Sequence, residues 1–235
     1  MSKYAYTTLL ATDDYLYGVL GLYFSLQNVK TKYDFVLIVT DGVSSETISI
    51  LDDLKITYKC FPQCDFTMPD TLYKATFNKF HLFQLNEYDK VCFLDGDAVV
   101  TSNMDHIFDM PAPGFMVFND DFLSGVIMLL EPNSQDFNYL LKFRTICGED
   151  ESIWNRLYSP KTVTNLIDYE NNIIHRSDGG SKAHKYWVFF NIASVEKLKN
   201  FMQLESEREF IELRYWMMSG TFNAIFDLDK ILLVK

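Results

Sequence analysis

Two carboxylates one residue apart, Asp95 and Asp97, close the apolar run Lys90-Val91-Cys92-Phe93-Leu94. That run reads as a buried strand, so Asp95-Gly96-Asp97 falls where a strand gives way to a loop. Like charges at contact distance repel by about 1 to 4 kcal/mol, depending on the effective dielectric, and a divalent cation removes that penalty. Mg²⁺ or Mn²⁺ is commonly held by one or two carboxylates together with phosphate oxygens. An acidic pair at the carboxyl edge of a sheet therefore suits a metal-diphosphate site. Asp-Gly is also a common hairpin dipeptide, and taken alone the tripeptide fits a turn equally well.

The surrounding elements decide what such a pair can face. Tyr4 to Leu10 and Phe35 to Thr40 read as strands, the second a continuous apolar run of the kind covered on both faces. Between them Leu16, Leu20, Tyr23, Phe24 and Leu26 recur at near-helical spacing behind Thr12-Asp13-Asp14, whose short polar side chains can cap a helix start. Ser44 to Leu54 continues as a helix with Ser44 or Ser45 as its cap, Thr57 to Phe61 as a strand, and Lys74 to Leu85 as a helix. Phe115 to Phe118 and Gly125 to Leu130 read as strands, Asn138 to Phe143 and Asp150 to Tyr158 as helices. From Ser194 to Phe222 apolar residues recur at helical intervals, which predicts a helical closing layer from about 194. Strands alternating with helices predict an α/β fold, a mixed and mostly parallel sheet flanked by helices. With no repeat or linker, the chain reads as one domain over 1–235.

Composition narrows the classes. With 235 residues, 48% of them hydrophobic and 16% aromatic, the chain can bury a large core. A net charge of −11 argues against holding nucleic acid or anionic lipid through a general surface field. The four cysteines, Cys60, Cys64, Cys92 and Cys147, form no pair of metal-type pairs. No stretch approaches the roughly 20 apolar residues that span a bilayer. The start MSKYAYTT lacks an export signal, which predicts a cytoplasmic protein. A homodimer is among the assemblies the sequence allows.

Several blocks in order resemble the glycogenin-like retaining glycosyltransferases of family 8, which have a GT-A fold and an Asp-x-Asp metal motif. Thr8 to Tyr15 is similar to the family's first strand and uridine loop, and Phe77-Asn78-Lys79-Phe80-His81 to its Thr-Lys-Leu-His helix. Val91 to Asp97 with Asn103-Met104-Asp105-His106-Ile107-Phe108 resembles the metal motif and its sequel. Phe122-Leu123-Ser124-Gly125-Val126 resembles Phe-Asn-Ser-Gly-Val, Gly148-Glu149-Asp150-Glu151 the Asp-Gln before a helix, and His175 to Trp187 the His-x-x-Gly-x-x-Lys-Pro-Trp segment.

The resemblance implies transfer of a hexose, glucose or galactose, from a UDP-sugar to an acceptor that the sequence does not identify. It implies Asp95, Asp97 and His175 as ligands of Mn²⁺ or Mg²⁺, with Gly96 between the two acids. Leu9, Ala11 and Thr12 would frame the uracil and Tyr15 would stack on it. Lys79 would pair with the donor or with Asp97, Leu123 and Gly125 would border the donor sugar, and Gly179 and Lys182 would meet the diphosphate. Asp150 would contact sugar hydroxyls, and Glu151, a Gln in the family, would lie near the anomeric carbon, where a carboxylate can stabilise or attack an oxocarbenium-like centre.

Each residue also has a plainer reading: Tyr15 as a core aromatic, Lys79 as a surface lysine with a buried stem, His175 as a loop residue, Glu151 as a helix N-terminal acid. This sequence departs from the family pattern at several points. Leu123 replaces an amide, His175 to Lys182 is one residue longer, no arginine lies between Phe61 and Phe80, and the segment of glycogenin's self-glucosylated tyrosine has no counterpart. Two alternatives stand beside the transferase: a haloacid-dehalogenase-type phosphatase, whose hydrophobic-Asp-x-Asp start is similar to Phe93 to Asp97 but continues with Thr where Val99 stands, and a nucleotide-sugar-binding protein without turnover.

Overall fold

The apolar runs become the centre of one sheet. The computed structural model of the chain describes residues 3–64, 74–119, 122–141, 154, 155 and 157–175. Strands β1 (Tyr4–Leu10), β2 (Asp34–Thr40), β3 (Tyr58–Phe61) and β4 (Lys90–Leu94) pair in parallel in the order β3-β2-β1-β4. Strand β7 (Phe122–Leu130) runs antiparallel to β4 and to β6 (Gly114–Phe118), and β8 (Thr164–Asn165) joins β6 in parallel, completing a seven-stranded sheet. The mixed, mostly parallel α/β sheet expected from the strand and helix alternation is thus present. A short pair, β5 (Ala98–Val100) with β9 (Ile173–His175), stands apart from it.

From β1 the chain passes to β2 on one side and later returns to β4 on the other. The carboxyl ends of β1 and β4 therefore flank the point where strand order reverses, which is where open α/β sheets bind ligands. Helix α1 (Leu16–Asn28) lies over β5 and is tied to it by Ser25, whose buried Oγ accepts from Val100 N at 3.0 Å and donates to Leu22 O at 2.7 Å. Helix α2 (Ser45–Asp53) is capped by Ser44, whose side chain accepts from Thr47 N at 3.2 Å.

The segment Lys74–Gln84, expected as an α-helix, is a 3₁₀ helix. Its sequence explains the difference. Phe77, Phe80 and Phe83 recur every third residue and all are buried, and a three-residue period places them in one row only if the helix winds three residues per turn. Thr12 does not cap α1 as expected: a 3₁₀ turn, Asp13–Tyr15, intervenes and neither Thr12 nor Tyr15 makes a side-chain cap bond. Helix α3 spans Ser134–Leu140, earlier than the expected 138–143, because the Asn133 side chain accepts from Gln135 N and Asp136 N at 3.0 Å each.

The chain divides into two compact units, 1–181 and 182–235, and every described residue lies in the first. The helical layer expected from about 194 falls outside the described residues.

Candidate active site

At the end of β4 the acidic tripeptide is a tight turn. Asp95 N donates to Val126 O of β7 at 3.0 Å, and Ala98 N, at the start of β5, donates back to Asp95 O at 2.9 Å. Asp95 and Asp97 thus occupy the first and third places of one turn, both partly exposed. Helix α1 closes on the turn from above: a Cβ on Gly18 would collide with Gly96 O. A Cβ on Gly96, by contrast, would sit at ordinary contact distance, 3.5 Å, from Leu9 O at the end of β1. Glycine is therefore required at 18, and it brings the first turns of α1 onto the acids.

Lys79 reaches this turn from the 3₁₀ helix. Its Nζ lies 2.9 Å from Asp95 Oδ1 and 5.4 Å from the Phe93 ring centroid, with 10% of the lysine side chain and 21% of the aspartate side chain exposed. The ammonium thus pairs with Asp95, the first acid of the turn. Its neighbours in the same motif have other tasks. Asn78 Oδ1 accepts from Cys64 N at 2.7 Å, and His81 Nε2 donates to Pro62 O at 2.9 Å with its ring stacked on Phe61. The motif Phe77 to His81 thus buries two phenylalanines, latches the chain leaving β3, and delivers one cation to the acidic turn.

The loop after β1 forms the other wall. Ala11 is buried, and its carbonyl accepts from Thr40 Oγ1 at 2.9 Å. Thr12 is half-buried, and Tyr15 is 54% exposed at the start of α1, a flat ring open to solvent rather than the core aromatic of the plainer reading. Asp13 fixes this loop to α2 by accepting from Ser44 N at 3.0 Å. Burial alone would raise the Asp13 pKa, but hydrogen bonds from Ser44 and Thr47 outweigh it and hold the carboxyl below its ordinary value.

His175, on β9, pairs with Ala98 on β5, so its backbone runs beside the residue that follows Asp97. Gly125 is buried on β7, next to the Val126 carbonyl that receives Asp95 N–H. Leu123 turns its side chain into the core, 0% exposed, and its main chain meets Asn155. Asp150, Glu151, Gly179 and Lys182 lie outside the described residues.

Among the described residues no three His, Cys, Asp or Glu side chains gather as a metal-binding group. The donor chemistry of Asp95 and Asp97 nevertheless fits a hard divalent cation: two carboxylates in one turn, open on the solvent side, at the sheet's ligand-binding edge.

Sequence reasoning missed Gly18 and Asn155. A glycine inside an apolar helical stretch costs about 1 kcal/mol relative to alanine, and that cost was the available signal of a close backbone approach. Asn155 carried no signal, because its partner is main chain.

The fold is that of the GT-A glycosyltransferases. The galactosyltransferase LgtC, solved in complex with donor and acceptor sugar analogs, superposes with a TM-score of 0.58 over 83% of this chain and 99% of its own, at 12% identity. Residues 6–121, which hold the β1 loop, Lys79 and the acidic turn, match Glycosyl transferase family 8, and this match together with the relatives and the fold supports a family 8 glycosyltransferase. It is 32% identical over 168 residues to uncharacterized protein R707 of Acanthamoeba polyphaga mimivirus, covering 60% of each. It is 34% identical over 128 residues to galactinol synthase 3 of Arabidopsis thaliana, covering 51% of this chain and 38% of that one. The chain thus spans less than two thirds of the length of either relative. The phosphatase alternative loses its ground with the family match. No described helix is long and apolar enough to cross a membrane.

Proposed function

We propose that the chain is a metal-dependent hexosyltransferase that moves glucose or galactose from a UDP-sugar to an acceptor, with retention of anomeric configuration. The observation that carries this reading is the convergence of Asp95-Gly96-Asp97, the Ala11 to Tyr15 loop and Lys79 at the switch point of the sheet.

Each residue then has a task. Leu9, Ala11 and Thr12 border the uracil, and the exposed ring of Tyr15 offers it a stacking face. Asp95 and Asp97, with His175 as third ligand, hold Mn²⁺ or Mg²⁺, which supplies positive charge opposite the diphosphate and its leaving oxygen. Lys79 offsets part of the carboxylate repulsion before any ligand enters, since its ammonium already sits on Asp95. Gly179 and Lys182 bind phosphate oxygens, and Gly125 leaves room for the sugar. Asp150 binds sugar hydroxyls. Glu151 places a carboxylate on the reactive face, where it stabilises developing positive charge at the anomeric carbon. With Leu123 turned into the core, the pocket lacks the amide that the family has at that position.

Release of UDP from a panel of UDP-sugars, with and without Mn²⁺, tests the reading. Metal-dependent release from UDP-glucose or UDP-galactose supports it. Binding without any release supports the non-catalytic alternative, and release of phosphate from simple monoesters instead contradicts both.

A further inference from the structure

The loops that follow β1, β2 and β3 are laced together at the carboxyl edge of the sheet. Thr40 Oγ1 donates to Ala11 O at 2.9 Å and accepts from Gly42 N at 3.3 Å, and Gln63 N donates to Asp41 Oδ1 at 3.0 Å. The residues on either side of Gln63 are pinned from the 3₁₀ helix: Pro62 O accepts from His81 Nε2 at 2.9 Å, and Cys64 N donates to Asn78 Oδ1 at 2.7 Å. Pro62, Gln63 and Cys64 are thus all fixed through main chain, while Gln63 itself is exposed and its side chain is left for another partner. Gly42 shows where that side chain lies. A Cβ on Gly42 would collide with Gln63 Nε2, and the same point is 2.7 Å from Ala11 O and 3.4 Å from Gln63 Cδ. The carboxamide therefore crosses Gly42 beside the Ala11 carbonyl, with its Nε2 end toward that wall and Oε1 turned away from it.

We infer that Gln63 is a specificity-determining residue for the donor's base, its Oε1 accepting the N3 hydrogen of a uracil that lies against the loop after β1. The inference rests on the function proposed above and deepens it. The acidic turn ends β4, and in the order β3-β2-β1-β4 the Gln63 loop lies three strand spacings away, roughly 14 Å, with the Ala11 to Tyr15 loop between them. A nucleoside diphosphate whose phosphates sit at the acids and whose base passes Ala11 thus points that base along the edge toward Gly42 and Gln63. The amide can tell bases apart because it is oriented. Turned end for end, it would bring Oε1 toward Ala11 O, acceptor against acceptor. Held as it is, Oε1 suits uracil, which has an N–H at N3, and opposes cytosine, which has a lone pair there. Glycine at 42 is what makes room for the side chain in this place.

The test is calorimetry in Mn²⁺ with three probes, UDP, CDP and inorganic diphosphate, which has no base. It is run on the full chain as wild type, as Gln63→Met, which keeps the bulk without the amide, and as Gln63→Ala. The wild type should bind UDP more tightly than CDP. Both variants should weaken UDP by about three- to tenfold, the net worth of one neutral hydrogen bond, and hold inorganic diphosphate within about twofold of wild type, so that UDP and CDP draw together. Unchanged UDP affinity in the variants overturns the inference. So does an equal loss for UDP and inorganic diphosphate, which would mean a disturbed loop rather than a lost base contact, and so does a wild type that binds UDP and CDP alike. If one variant does not fold, the other decides by the same criteria. Failure of the wild type to bind UDP at all overturns the proposed function together with this inference, and is distinguished by appearing without any substitution.

Discussion

The ammonium of Lys79 lies 2.9 Å from Oδ1 of Asp95, with nine-tenths of the lysine side chain shielded from water. One cation thus faces two carboxylates in a single turn, and the turn folds with part of its repulsion already offset. Removing Lys79 takes the ammonium away from a shielded carboxylate. Lys79→Met is expected to cost about 3 kcal/mol in urea denaturation, the low end for a buried pair because Asp95 keeps some contact with solvent. Lys79→Met with Asp95→Asn should recover most of that loss.

Gly18 gives a reversed sign. At an ordinary helix position Gly→Ala stabilises by about 1 kcal/mol. Here the new methyl would meet Gly96 O, main chain that cannot rotate away. Gly18→Ala is expected to destabilise by roughly 1 to 3 kcal/mol, the usual cost of overpacking, and to weaken metal-dependent UDP binding by displacing the acidic turn. Chemical denaturation beside calorimetry checks both.

Asp13 predicts an acid dependence. Its carboxyl is held below its ordinary value in the folded chain, so its contribution is present above the unfolded pKa of about 3.9 and is lost as pH falls through the lower folded value. The group is mostly in water, so the contribution is below about 1 kcal/mol. The stability difference between wild type and Asp13→Asn should be constant near neutrality and shrink below about pH 4, in denaturation curves taken across that range.

Asp105 separates stability from chemistry. It accepts from Tyr6 Oη at 3.1 Å, Thr31 Oγ1 at 2.6 Å and Lys32 N at 3.0 Å, joining the loop after β5 to the amino ends of the parallel strands, away from the acidic turn. Burial, above all, pushes the Tyr6 phenol well above its ordinary value, so it stays a donor at every working pH. Asp105→Ala should cost about 1 to 2 kcal/mol by leaving the buried Tyr6 hydroxyl and the half-buried Thr31 hydroxyl without their acceptor, with KM for the UDP-sugar unchanged in the folded protein.

The strands nearest the site were the most legible part of the sequence. β1 and β4 hold the bounds expected of them, β4 because its run from Val91 to Leu94 is apolar on both faces, β1 although Thr7 and Thr8 interrupt its apolar residues. The acidic pair was legible for the same reason, as charge at the limit of such a run. Lys74–Gln84 was read as an α-helix because windows of apolar residues three and four apart look alike, and only the core decides between them. The Lys79 to Asp95 pair was not legible, because only the folded turn decides which acid a lysine sixteen residues upstream reaches. The Asn155 to Leu123 contact is invisible in a sequence, since any residue supplies the same main chain.

The central claim is tested most directly by calorimetry of UDP binding with and without Mn²⁺ in the wild type, Asp95→Asn and Asp97→Asn. The account predicts binding that requires the metal and is lost in both variants while their folds persist. Equal UDP affinity in the absence of metal, or in either variant, would contradict it.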